Sequence, residues 1–269
     1  MRCVKSTRTT TNYLVKALTV KTLRALAATL AAALAASVGA CSAADRPAGE
    51  DNVLTYLEPQ FFRTLYPPAA GFYPNGGVVN QITDRLLYQN PETLELEPWI
   101  ATELPEINED ATVFTFNIRT DVTYSDGTPM TAQNIVDNFD LYGLGDKERL
   151  LNVSEQISNY ERGEVVDEDT VRFYFSAPSP GFAQATSTYN AGLLADSSLK
   201  LRNEDFGPGG ADNVIGSGPF VVESETLGTD LVLAARDDYD WAPPSLEHQG
   251  RARLDGILPV AQRSAAASG

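Results

Sequence analysis

Residues 113–145 hold a pattern that admits few folds. Val113-Phe114-Thr115-Phe116-Asn117-Ile118-Arg119 alternates, with Phe114, Phe116 and Ile118 on one side and Val113, Thr115 and Asn117 on the other. A period of two is that of a strand with unlike faces. Asp126-Gly127 supplies a tight turn, since glycine takes positive φ readily. Pro129 has no N–H to give a ladder, so the strand has ended by then. Thr131 reads as an N-cap, its hydroxyl accepting from first-turn N–H groups. Behind it Ile135, Val136 and Phe139 put an apolar stripe on one helix face, and Gly143 and Gly145 close the helix.

This strand, turn and helix resemble the signature region of bacterial extracellular solute-binding proteins of family 5. These are the dipeptide-, oligopeptide- and nickel-binding components of ABC importers. The similarity lies in Phe114-Thr-Phe-Asn-Ile-Arg119 and Asp126-Gly-Thr-Pro-Met-Thr-Ala132. Ser125 stands where the family often has His, and Gln133-Asn134 where its helix usually opens with acids. Further matches are the acidic turn and strand Val165–Phe175, Ile215-Gly-Ser-Gly-Pro-Phe220, Arg236-Asp-Asp-Tyr-Asp-Trp241 and Leu254-Asp-Gly-Ile257. The glycine-rich one has neither the spacing nor the Lys of a phosphate loop. It reads as a tight turn feeding the strand Phe220–Glu223, which pairs with Leu231–Ala235.

The resemblance covers residues 52–257, in order. It implies an α+β (mixed α/β) fold of the type II periplasmic-binding-protein kind, first lobe only, with the second lobe missing from a truncated, frameshifted or genuinely short chain. Residues 258–269 are then a disordered low-complexity tail. With one lobe, a ligand would find half its usual contacts and bind weakly.

Residues 1–40 read as an address. Six basic residues, no acidic ones and an Ala/Leu run from Leu23 to Ala36 have the layout of a secretory signal. Val38-Gly39-Ala40-Cys41 resembles a lipobox, which would make Cys41 a lipidated first residue of the mature chain. An ordinary signal peptide or a short membrane anchor is the alternative. Residues 41–51 are small and polar, a tether. Cys3 and Cys41 are the two cysteines, so neither a disulfide nor a thiolate metal site is expected in the mature domain. The remainder carries 14 basic against 36 acidic residues. Such a balance excludes nucleic acid as a partner.

The first predicted strand, Val53–Leu57, leads into a looped passage with Phe61, Phe62, Tyr66, Phe72 and Tyr73. Aromatics and an acid there can line a ligand cleft or anchor the loop to the core. The family's segment after the first strand faces the ligand. The resemblance therefore implies Tyr56, Glu58 and Phe61, as a group, as ligand-binding residues. Apolar spacing predicts a helix over Val78–Tyr88.

The function implied is a monomeric, lipid-anchored, extracytoplasmic protein that captures a peptide or other small solute and delivers it to ABC permease subunits, without cofactor or metal. A secreted hydrolase would need its carboxylates or the sole histidine, His248, and no Gly-x-Ser-x-Gly elbow is present. A non-transport lipoprotein or non-functional remnant is the remaining alternative.

Overall fold

The structure, a computed structural model, describes residues 52–71 and 74–261, all within the unit Asp51–Gly269. The signal segment 1–40, the tether with Cys41, Phe72, Tyr73 and residues 262–269 lie outside the described residues. In chain order the elements are β1 (Val53–Glu58), α1 (Asn75–Ile82), β2 (Leu87–Gln89), β3 (Leu96–Pro98), β4 (Glu106–Ile107), β5 (Val113–Asn117), α2 (Ala132–Leu144), β6 (Tyr160–Asp167), β7 (Thr170–Phe175), α3 (Phe182–Ala185), β8 (Phe220–Thr226), β9 (Asp230–Ala235) and β10 (Gly256–Ala261).

Two four-stranded sheets result. One has the order β4-β5-β7-β6 and is antiparallel throughout. The other has the order β1-β10-β9-β8, with β1 and β10 parallel and the rest antiparallel. β2 and β3 form a separate ribbon. This is the mixed α/β architecture expected.

The alternation in β5 and β7 sends Phe114, Phe116, Val171, Phe173 and Phe175 inward. They meet Phe139 of α2 and Phe182 of α3, with ring centroids 4.7 Å apart for Phe139–Phe173 and 4.6 Å for Phe175–Phe182. Such pairs add about 1 kcal/mol each beyond area burial. Thr131 caps α2 as expected, its Oγ1 accepting from the Asn134 N–H at 3.2 Å. Gly127 takes a φ of 81° in the turn before it. Gly143 lies within α2 rather than after it, where a Cβ would run into the Tyr160 ring.

α2 also carries a buried polar row at i, i+4 and i+8. Asn134 and Asn138 each donate from Nδ2 to the Leu194 carbonyl, at 3.0 and 2.9 Å. Asn138 Oδ1 accepts from the Leu194 N–H, and the Tyr142 hydroxyl donates to the Gly192 carbonyl. The segment 192–196 thereby gains partners that no sheet supplies.

Two expectations need correction. The helix expected over Val78–Tyr88 is α1, shifted to Asn75–Ile82. It stops because Thr83 turns extended, its hydroxyl and N–H both donating to the Val79 carbonyl. The tail expected over residues 258–269 does not start at 258, because Leu258–Ala261 continue β10 beside β1, in register from Thr55↔Leu258 to Glu58↔Ala261; the rest of it lies outside the described residues. Pro259 is tolerated since the ladder to β9 is interrupted between Ile257 and Val260, where no N–H is required.

The turn at Gly216-Ser217-Gly218 fixes α1 against this sheet. The Gly218 N–H donates to the Ile82 carbonyl at 3.0 Å. A Cβ at Gly216 would collide with the Ile82 carbonyl oxygen, and one at Gly218 would lie 2.6 Å from the Gln81 carbonyl oxygen. Gly216→Ala is expected to cost about 3 kcal/mol through this overpacking. A lower urea midpoint with an unchanged slope would show it; a wild-type midpoint would mean that the turn moves aside at no cost.

Candidate functional site

The parallel pair β1·β10 brings two strand carboxyl ends to one edge, where Glu58 faces Ala261. Glu58 is only 5% exposed, and its Oε2 is buried with no hydrogen-bond partner among the described residues. Its other oxygen and the Tyr56 hydroxyl both approach Gly77 in the first turns of α1. A Cβ placed there would lie 3.6 Å from Oε1 and 3.5 Å from the hydroxyl. Gly77 thus leaves room beside a carboxylate and a phenol. Phe61 is half-buried, its ring 4.6 Å from that of Phe62.

Glu58 and Phe61 share a cavity of about 10 Å³ with Phe62, Pro74, Val78 and Pro259. That is room for roughly one water. The structure therefore brings the three expected residues to one end of α1, with Glu58 at the centre. Tyr56 lies beside Glu58 but outside the cavity lining.

The other end of α1 holds charges that the spacing of residues did not single out. Asp84 is fully buried. It accepts from the Trp241 indole N–H at 2.7 Å and the Tyr239 hydroxyl at 3.2 Å. Burial pushes its pKa up to about 7, against the pull of the Trp241 hydrogen bond. Arg85 is 7% exposed, and burial lowers its pKa to about 10, against the attraction of Asp84. Its guanidinium covers the Trp99 ring at 4.6 Å from the centroid. A cleft of about 510 Å³ opens there. The sequence signal was an Asp-Arg pair inside an apolar run, which reads as a solvated face while the run is taken for one helix.

The glycine turn and the Arg236–Trp241 stretch close over Asp84. Arg236 is buried and donates to the Thr123 and Ser217 carbonyls at 3.0 and 3.3 Å, while pairing with Asp238 at 2.7 Å. These motif residues hold the fold together rather than line the Glu58 cavity.

The profile for bacterial extracellular solute-binding proteins, family 5 Middle, matches residues 95–267. The chain belongs to this family. Relatives of this family 5 protein include the probable D,D-dipeptide-binding periplasmic protein DdpA of Escherichia coli K12, 29% identical over 145 residues, or 52% of this chain and 27% of DdpA. The periplasmic murein peptide-binding protein MppA of the same organism is 24% identical over 76% of this chain and 38% of MppA. Among solved structures, the oligopeptide-binding protein AppA of Bacillus subtilis, bound to a nonapeptide, superposes with a TM-score of 0.65 at 18% identity, over 78% of this chain and 40% of AppA. The nickel ABC transporter protein of Bacillus halodurans gives 0.61 at 22% identity, over 79% and 39%. These neighbours show the type II periplasmic-binding-protein fold. The chain spans 27 to 38% of the length of the two curated relatives. No helix among the described residues is long and apolar enough to cross a membrane.

The Asp84 pKa of about 7 stands above its unfolded value near ~3.9. The folded chain binds that proton more tightly. The resulting stability is complete below about pH 4 and is lost as pH rises through about 7. From pH 5 to 8, wild type is expected to lose on the order of 2 kcal/mol relative to Asp84→Asn. Urea denaturation of both proteins across this range measures the gap; a gap that does not change with pH would return Asp84 to the ordinary carboxylate range.

Proposed function

We propose that this chain is the extracytoplasmic solute-binding component of an ABC importer and takes a peptide or peptide-like solute at the carboxyl edge of β1 and β10. Glu58 receives a donor group of the solute, the Tyr56 hydroxyl bonds beside it, and Phe61 packs on an apolar side chain. The observation that carries this reading is the buried Glu58 carboxyl group, one oxygen unpaired among the described residues, next to the opening left by Gly77. Such an oxygen costs about 1–3 kcal/mol unless a partner arrives. Peptide is the solute class in the names of DdpA and MppA.

The chain acts by capture and release, not by bond making. The Nε2 of its sole histidine, His248, is held against the Arg251 carbonyl at 2.7 Å. The permease subunits take the solute from it. A lipidated Cys41 holds the mature protein on the outer face of the membrane, and the acidic balance keeps it soluble there.

Calorimetric titration of the full chain with di- to pentapeptides is expected to show binding that Glu58→Gln weakens about tenfold, about 1.4 kcal/mol. Equal affinities in the two proteins would remove Glu58 from the site. Cells grown with radiolabelled palmitate are expected to label the wild-type protein and leave Cys41→Ser unlabelled; label retained by the variant would refute the anchor.

A further inference from the structure

We propose that the cleft at the carboxyl end of α1 is a second binding site, which takes a small monocarboxylate with an aromatic or branched apolar body, its carboxylate meeting Arg85. The inference is independent of the solute reading above. Its volume, about 510 Å³, falls within the size of small-molecule sites. Tyr88, Trp99, Phe220, Pro243 and Leu246 give it apolar walls.

Arg85 is the built feature. It is more than nine-tenths buried, yet takes part in no ion pair among the described residues. Among the described residues its Nε has no hydrogen-bond partner, and its side chain donates only to Asn80 Oδ1, itself on the cleft wall. Asp84, its neighbour in sequence, has its two oxygens occupied by Tyr239 and Trp241. A guanidinium carries five N–H donors in a planar fork that suits a carboxylate. Its contact with the Trp99 ring face, 4.6 Å from the centroid, holds the group at the cleft wall. A buried cation with donors to spare and an apolar enclosure in front of it select an anion with an apolar body. Glu247 on the rim repels a second negative charge, which favours a monoanion over a dianion.

Arg85, Asn80 and Tyr88 also border a smaller hollow of about 360 Å³ beside Ser187–Tyr189. Ala252 lines the larger cleft alone, so a bulky residue there separates the two.

The full chain is titrated with 4-phenylbutyrate and with its neutral amide, 4-phenylbutanamide. Intrinsic fluorescence reports directly, because the two tryptophans are Trp99 in the wall and Trp241 next to it. The acid is expected to give a saturable change, and the amide to bind at least tenfold more weakly. Arg85→Gln is expected to bring the acid to the level of the amide, and Ala252→Phe to abolish the response. Circular dichroism and melting curves establish that each variant folds; if Arg85→Gln does not, the acid–amide comparison and Ala252→Phe decide. Equal binding of acid and amide, an unchanged acid response in Ala252→Phe, or no saturable response would each overturn the proposal.

Discussion

A carboxylate removed from water must be met by donors, and Asp84 is met from segments far along the chain. Tyr239 and Trp241 lie 155 and 157 residues downstream. Burial of a lone charge costs several kcal/mol, so the fold that encloses Asp84 must also deliver these donors. The Trp241 indole N–H reaches the Ser217 carbonyl as well, at 3.3 Å. Arg236 binds that same carbonyl and those of Thr123 and Tyr124. The end of α1, the glycine turn, the turn before α2 and the loop after β9 therefore converge on one buried point. The position of α1 over the β8 side of its sheet follows from this convergence, and with it the place of both clefts.

The parts legible in the sequence were those decided by local pattern. Alternation gave β5 and β7, and the Thr131 cap gave the start of α2, because a period of two and a hydroxyl at an N-cap act within a few residues. The ends of α1 were less legible. Asn75-Gly76-Gly77 looks like loop, yet it is helical, with Asn75 Oδ1 accepting from the Arg63 N–H at 2.8 Å. At its other end the apolar spacing runs on through Leu86 and Leu87, but tertiary contacts to the glycine turn stop the helix at Ile82. The last four residues of β10 fell in the stretch read as low-complexity tail, and only the strand pairing shows that the missing N–H of Pro259 costs nothing. Nothing local marks Asn134 and Asn138 as buried, because their partners belong to a segment some 60 residues away.

The candidate site divides the same way. The family resemblance implied Tyr56, Glu58 and Phe61 as a group, while the residues alone left them as cleft or core, and the three do gather at one end of α1. That one oxygen of Glu58 lacks a donor among the described residues is a property of packing, which no local pattern carries. Arg85 was harder still. Read as a helical residue it would point its charge to water; released from the helix by Thr83, it folds back over Trp99.

Glu58 and Arg85 stand apart from the other buried charges. Asp84 and Arg236 are met by the protein, whereas Glu58 and Arg85 each keep an atom unpartnered among the described residues. They lie at opposite ends of α1, the anion by Gly77 near its amino end and the cation three residues past Ile82 at its carboxyl end. The helix dipole favours a negative charge at the first position and a positive charge at the second, by about 0.3–1 kcal/mol each. At the carboxyl end the attraction of Asp84 for Arg85 adds to the dipole. Neither Glu58 nor Arg85 is fully met among the described residues. Each is left able to gain from a ligand what the fold does not give it: a donor for Glu58, an anion for Arg85.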